Sequence, residues 1–223
     1  MCGRYSVDKS PEDLAALLDA INLAGELAPS YNVAPTDPVP AVVVRHDRRE
    51  LLPVRWGLVP SWSKDMKGAA RMINARFESV AEKPSFRAAY QRRRCLLPAN
   101  GYYEWTPATE PKGKPQPYLF TPNDGGLLTM AGIYEVWKDA EGALWWTCAV
   151  ITTEAPDGYG HIHDRTPMVV RPVDWAAWLD PDNVHADGLV MPALAGDVHV
   201  TKVSTAVNSV KNNGPELNLP VAG

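Results

Sequence analysis

Cysteine is scarce in this chain: its 223 residues contain only Cys2, Cys95 and Cys148. An odd number at such wide spacing argues against a disulfide framework and against a Cys-rich zinc site, so all three are read as free thiols. Long apolar runs are also missing. No stretch has the length of a membrane span, and the first 30 residues lack the basic and apolar regions of a secretory leader. The expectation is therefore a soluble, cytoplasmic protein without membrane contact. There is no Gly-rich phosphate loop and no regular alternation of strand-like and helix-like segments, which disfavours a doubly wound nucleotide-binding fold. Histidine is sparse as well. Of five, His46, His185 and His199 stand alone, and the His161-Ile162-His163 pair has no further ligand cluster beside it. Neither a metal nor a cofactor is expected.

Turn-forming residues are plentiful. Twenty-one prolines and 16 glycines are spread along the chain, as many short strands and turns require. Strand-like runs fall at Val39 to Arg45, Leu51 to Arg55, Arg94 to Leu97, Gly101 to Trp105, Tyr118 to Phe120, Leu127 to Trp137, Leu144 to Thr152 and Val198 to Val203. Ser10-Pro11-Glu12-Asp13 reads as a helix start, followed at helical spacing by Leu14, Leu17, Leu18 and Ile21 as a core-facing stripe. Further helices are expected around Ser85 to Arg93 and Val173 to Leu179. The fold class is α+β: a single compact domain over 1–223 with a β-rich, antiparallel, barrel-like core and a few peripheral helices.

The formal net charge of −4 is unevenly placed. Between Lys64 and Arg94 there are nine basic residues against three acidic ones, which leaves the remainder at −10. Such a concentration can engage a phosphate backbone locally, and it can equally be a solvated helix face.

Several residues carry possible chemistry. Loss of Met1 would leave Cys2 at the amino terminus, with an α-amine and a thiol on one carbon skeleton. These titrate near ~8 and ~8.5, so both have a reactive fraction at neutral pH. A 1,2-aminothiol condenses with an aldehyde to an imine, which the sulfur closes into a thiazolidine ring. Asn74 and Arg76 lie two apart, on one face if extended, where an amide and a guanidinium suit a sugar-phosphate; Asn74 can equally satisfy a buried backbone group. Glu104 sits in the aromatic run Tyr102-Tyr103-Glu104-Trp105, where desolvation would raise its pKa into a useful acid-base range, unless it simply faces water. One imidazole of the His161/His163 pair suits proton transfer, with Arg165 on a phosphate. Trp56 and Trp62 flank a Gly/Pro loop from which an exposed indole could stack on bases. Trp145 and Trp146 alternate across a strand, so at least one belongs in the core, and Trp175 and Trp178 read as packing residues.

The order and wording of these segments resemble one family, the SOS response-associated peptidase (SRAP) domain of abasic-site processing proteins. The resemblance runs through Met1-Cys2-Gly3-Arg4-Tyr5, Tyr31-Asn32-Val33-Ala34-Pro35-Thr36, Trp56-Gly57-Leu58-Val59-Pro60-Ser61-Trp62, Asn74-Ala75-Arg76, Arg94-Cys95-Leu96-Leu97-Pro98-Ala99, Tyr103-Glu104-Trp105, His163-Asp164-Arg165-Thr166-Pro167 and Asn212-Asn213-Gly214-Pro215-Glu216-Leu217. Departures are small: Thr166 stands where methionine is usual, Ser79 where threonine is usual, and Ala206 where a larger residue is common.

The resemblance implies a protein that recognises abasic sites in single-stranded DNA and links itself to them through Cys2. Asn74 and His163 would position the opened sugar, Glu104 would assist proton transfer, Arg4, Arg76 and Arg165 would hold phosphates, and Trp62 with Thr152 and Thr153 would lie along the DNA. A weak lyase activity through the imine and a peptidase activity toward Met1 are also implied. The expected state is a monomer without an obligatory protein partner, nucleoid-associated when on DNA. Two alternatives stand: an N-terminal-nucleophile amidohydrolase of the glutamine amidotransferase kind, and a noncovalent single-strand-binding module.

Overall fold

The computed structural model describes residues 2–107, 113–156, 158–193 and 197–221; Met1, whose removal the aminothiol reading requires, lies outside them. In chain order the elements are β1 (Tyr5–Val7), α1 (Pro11–Leu17), β2 (Ile21–Asn22), β3 (Ser30–Val33), β4 (Pro38–Arg45), β5 (Arg48–Trp56), β6 (Asn74–Arg76), α2 (Phe77–Val80) and α3 (Arg87–Arg92). There follow β7 (Arg94–Ala99), β8 (Gly101–Thr106), β9 (Gln116–Pro122), β10 (Leu128–Lys138), β11 (Leu144–Glu154), β12 (Arg165–Val170), α4 (Trp175–Leu179), β13 (Val190–Pro192) and β14 (Val198–Lys202).

A barrel forms the larger part of the fold. Strands β10, β7, β4, β5 and β11 pair in that order, and β11 returns to β10, closing the ring. The β4–β5 hairpin turns on His46 and Asp47, both at positive φ (50° and 60°), as a two-residue type I′ turn requires. The β10–β11 hairpin runs in register from Lys138↔Leu144 to Gly132↔Val150. Beyond that point the two strands separate and β12 enters between them, pairing Met130↔Val169 on one side and Thr152↔Pro167 on the other. The ring contains one parallel junction. Strand β5 runs beside β11 as far as Trp56↔Cys148, and β6 takes over the same edge at Asn74↔Val150. The intervening segment 57–73 is thus an excursion from one edge line. It leaves at Gly57, whose φ of 132° and whose position, where a Cβ would stand 2.8 Å from the Ala69 carbonyl oxygen, both demand glycine.

A smaller antiparallel sheet, ordered β14-β9-β8-β1-β3, packs against the barrel. Its strand β8 is amphipathic in two directions. Tyr102 stacks on Phe120 at 4.8 Å within the main core, while Tyr103 belongs to a second core with Leu119, Val203, Val207 and Leu217. Both faces of β8 are therefore covered, which explains its run of aromatic residues.

The β-rich α+β architecture agrees with the sequence reading, and all eight strand-like runs are strands. Four details correct it. The sheets are mixed rather than wholly antiparallel, because β11 runs parallel to β5 and β6, and β2 parallel to β5. Helix α1 has its Ser10 cap, with Ser10 Oγ accepting from the Asp13 N–H at 3.1 Å, but ends at Leu17, and Leu17 and Ile21 are exposed. The backbone turns at Asp19, φ 50°, and Ile21 pairs with β5 as a strand residue instead. Trp56 is wholly buried, donating its indole N–H to the Ile73 carbonyl at 2.9 Å. Finally, the basic run is not one solvated face. Arg94 is buried among backbone carbonyls and Arg93 pairs with Glu135 at 2.9 Å.

Candidate active site

The segment leading into β1 places Cys2 at the seam between the two sheets, where it is fully buried. Its carbonyl accepts a hydrogen bond from Asn74 Nδ2 at 2.8 Å, tying the amino-terminal segment of the small sheet to β6 of the barrel. Burial first, and the nearby Glu104 carboxylate second, push the Cys2 thiol well above its ordinary range. The sulfur is held as a thiol.

Strand β8 delivers Glu104 to the same seam. Alternation along the strand places it on the face of Tyr102, away from Tyr103 and Trp105. At 2% exposure the carboxyl is desolvated, and its pKa is raised to about 7. His163 stands opposite, in the loop before β12, with Nε2 3.9 Å from Glu104 Oε2. Its Nδ1 accepts the Arg165 backbone N–H at 3.0 Å, so in the neutral ring the proton sits on Nε2, toward Glu104. Partial burial lowers the His163 pKa and favours that neutral form. Should the ring take a proton, Asp164 Oδ1 lies 3.0 Å from Nδ1 to pair with it. The loop is held by the Ile162 and His163 N–H groups donating to the Tyr159 carbonyl, and the Tyr159 ring meets Phe120 edge-on.

Cationic groups flank this centre. Arg76 is exposed at the end of β6, between one trough lined with Arg71, Asn74 and Lys83 and another with Glu154, Asp164 and Arg165. Thr152 is buried beside it in register with Arg76, and its hydroxyl has no hydrogen-bond partner among the described residues. Asn74 Oδ1 is likewise buried without a partner. Arg165 donates from both terminal nitrogens to Glu78 and from Nη2 to the Thr152 carbonyl at 2.7 Å. Trp62 stands 65% exposed on the 57–73 excursion, and that loop is pinned by the Trp137 indole N–H donating to the Ser63 carbonyl at 2.7 Å.

The structure thus gathers Cys2, Asn74, Glu104 and His163 around one point, with Arg76, Thr152 and Arg165 beside them. Arg4 is engaged elsewhere: Nη1 donates to Asn32 Oδ1 at 2.7 Å and to the Val207 carbonyl at 3.0 Å. Asn32 in turn donates to the carbonyls of Val207, Ser209 and Asn212. This cluster pins the C-terminal turns and accounts for two of the quoted segments, those holding Asn32 and Asn212. Sequence reasoning gave no role to Glu78 or to Tyr102, whose hydroxyl lies 2.9 Å from Thr166 Oγ1. Partners 64 and 87 positions apart leave no periodic trace. Among the described residues no group of three His, Cys, Asp or Glu side chains is placed to hold a metal ion.

A buried cysteine next to the amino terminus, a desolvated glutamic acid and a histidine beside it, with two arginines at the rim, on a barrel with an added sheet, define a class of protein. The model of the SOS response associated peptidase (SRAP) family matches residues 1–210, and the chain belongs to that family. Among its relatives, the abasic site processing protein YoqW of Bacillus subtilis is 39% identical over 222 residues, covering 97% of this chain and 98% of the relative. The abasic site processing protein YedK of Escherichia coli is 34% identical over 237 residues, covering 99% of this chain and all of YedK. In fold, the chain is similar to a crystal structure of a Bacteroides thetaiotaomicron protein, with a TM-score of 0.87 at 24% identity, covering 99% of this chain and all of that one.

Proposed function

We propose that this protein senses abasic sites in single-stranded DNA and captures them as a thiazolidine through Cys2 once Met1 has been removed. The names of its relatives supply the lesion. The observation that carries the chemistry is the Asn74 to Cys2 hydrogen bond beside Glu104 and His163, which fixes the cysteine backbone against an acid-base pair.

The open-chain abasic sugar carries an aldehyde at C1′. Glu104, half protonated near pH 7, donates a proton to the ring oxygen as the C1′–O bond of the closed hemiacetal breaks, and the C1′ hydroxyl gives up its proton to water. The Cys2 amine adds to C1′, and the carbinolamine loses water to give the imine, with the neutral His163 moving the protons. The thiol then adds across the imine: sulfur bonds to C1′ and its proton goes to the nitrogen. Because burial keeps sulfur protonated, the amine reacts first and the thiol second. Elimination from the imine, before ring closure, gives a weak lyase activity. Arg76 and Arg165 hold the flanking phosphates and Trp62 lies along the strand, while Arg4 supports the C-terminal turns beneath. The protein works as a monomer without a cofactor.

The test is incubation of purified protein with a single-stranded oligonucleotide carrying one abasic site, read by denaturing gel and intact mass. An adduct that requires loss of Met1 and disappears in Cys2→Ser supports the reading. A wild type with a free terminal cysteine that forms none overturns it, and release of ammonia from glutamine then becomes the next assay.

A further inference from the structure

Arg165 is not open to an incoming phosphate. Its Nη1 and Nη2 each donate to a Glu78 carboxylate oxygen at 2.9 Å, the two-pronged geometry with which a guanidinium also grips a phosphate. The carboxylate is the outer partner: the Glu78 side chain is 44% exposed and that of Arg165 only 10%. A third bond, from Thr153 Oγ1 to Glu78 Oε1 at 3.0 Å, holds the carboxylate in place. The Arg165 bonds also bring the Glu78 pKa down to about 2, so it stays charged at any pH at which the protein would meet DNA.

Orientation of Arg165 does not depend on this pair alone, because Nη2 also donates to the Thr152 carbonyl and the Arg165 backbone N–H is bonded to His163. Removing the Glu78 charge would leave the guanidinium aimed as it is, with its outer edge free. That separates Glu78 from a mere clamp.

We infer that Glu78 is a specificity-determining residue that occupies the phosphate seat on Arg165 in the free protein, so that a DNA phosphate gains this contact only by displacing the carboxylate. The inference rests on the proposed phosphate role of Arg165. Intact DNA, which offers the phosphate but no aldehyde, must meet the cost of displacement from backbone contacts alone. An abasic strand adds the covalent gain of imine and ring formation. Glu78 therefore suppresses residence on undamaged single strands more than it slows capture of the lesion.

The experiment measures equilibrium binding of an intact single-stranded oligonucleotide across a salt series for wild type, Glu78→Gln and Thr153→Val, alongside adduct formation on the abasic oligonucleotide. Glu78→Gln is expected to bind intact DNA about threefold tighter at low salt, as the loss of an exposed competing ion pair allows. Its slope of log affinity against log salt should steepen by about 0.7, the value for one added phosphate contact on a single strand. Thr153→Val should shift affinity the same way by less. Unchanged or weaker binding by Glu78→Gln with the wild-type slope overturns the inference, and if wild type still crosslinks, the abasic-site reading survives. A wild type that neither binds single strands nor crosslinks removes both.

Discussion

At the scale of single residues, Glu104 is the most informative. Its sequence neighbours are aromatic, and that alone pointed to a desolvated carboxyl; the depth of its burial and its pairing with His163, 59 positions later, did not follow from the sequence. The sequence leaves open which of Trp56 and Trp62 turns outward, because a tryptophan beside a Gly/Pro loop reads alike whether its ring turns out or in. The raised pKa makes two linked expectations. In its proposed role as an acid Glu104 acts protonated, so the rate of adduct formation at saturating DNA should fall as pH rises through about 7. Glu104→Gln should lack that limb and be slower by about 10²-fold or more at pH 6. For stability the sign is the reverse of the usual carboxylate case. The folded pKa lies above the unfolded one of 4.5, so the fold favours the proton; the contribution is whole below pH 4.5 and is lost as pH climbs through about 7. Above pH 8 an ionised Glu104 strains the seam by on the order of 3 kcal/mol. Glu104→Gln should therefore melt several degrees higher than wild type at pH 8 and close to it at pH 5, as thermal denaturation would show. Equal melting temperatures at both pH values would mean that the carboxyl is not desolvated in solution.

At the scale of elements, Arg94 shows what a charge count misses. It opens β7 and is 3% exposed, with only backbone carbonyls among its hydrogen-bond partners in the described residues. Its guanidinium donates to the Tyr90 and Gln91 carbonyls at the end of α3, to those of Trp178 and Asp180 at the end of α4, and to Asn183. Helix C-termini leave carbonyls without internal donors, and one planar fork serves two of them. Lysine has a single nitrogen with three protons and cannot reach five acceptors. Arg94→Lys should cost about 2–4 kcal/mol in chemical denaturation, through buried carbonyls left unpaired. Adduct formation per folded molecule should stay at the wild-type rate. A rate loss well beyond the unfolded fraction would place Arg94 in the site after all. Elsewhere at this scale, the long strands were legible because they are apolar runs bounded by turns. Strands β1, β2, β3, β6 and β13 escaped notice because two to four residues carry no period. Strand β12 escaped because Pro167 interrupts it, tolerated where β12 meets β11 at the point of strand separation. The parallel β5, β11 and β6 edge has no sequence signal, since pairing direction is set by the path of the chain.

At the scale of the whole molecule, the candidate site divides between two sheets. The small sheet supplies Cys2 through the segment entering β1, and Glu104 from β8; the barrel supplies Asn74, Arg76, Thr152 and Arg165, with His163 in the loop that feeds β12. Cys2 and Glu104, the proposed nucleophile and acid, thus sit on a different sheet from the groups proposed to hold the strand, while Asn74 and His163 lie on the barrel side and the Asn74 to Cys2 bond joins the two at the seam. A change that shifts the small sheet should slow chemistry while sparing DNA affinity. Gly101 provides it. A Cβ there would meet the Phe120 carbonyl oxygen at 2.5 Å and Thr121 Cγ2 at 2.9 Å, so Gly101→Ala must push β8 away from β9. Phe120 stacks on Tyr102 and meets Tyr159, so the displacement acts on the support of the His163 loop as well as on Glu104. The expected cost in stability is about 1–3 kcal/mol, as for overpacking in a close-packed core. Since a misplacement of about 1 Å can cost about 10²-fold in rate, crosslinking should slow by at least about tenfold at a temperature where the variant is folded. Affinity for an intact single strand should stay within about twofold of wild type, because Arg76, Arg165 and Trp62 stand on the barrel side. Binding and crosslinking that fall together, in proportion to the unfolded fraction, would mean that the two sheets act as one rigid platform and that the division of labour between them is absent.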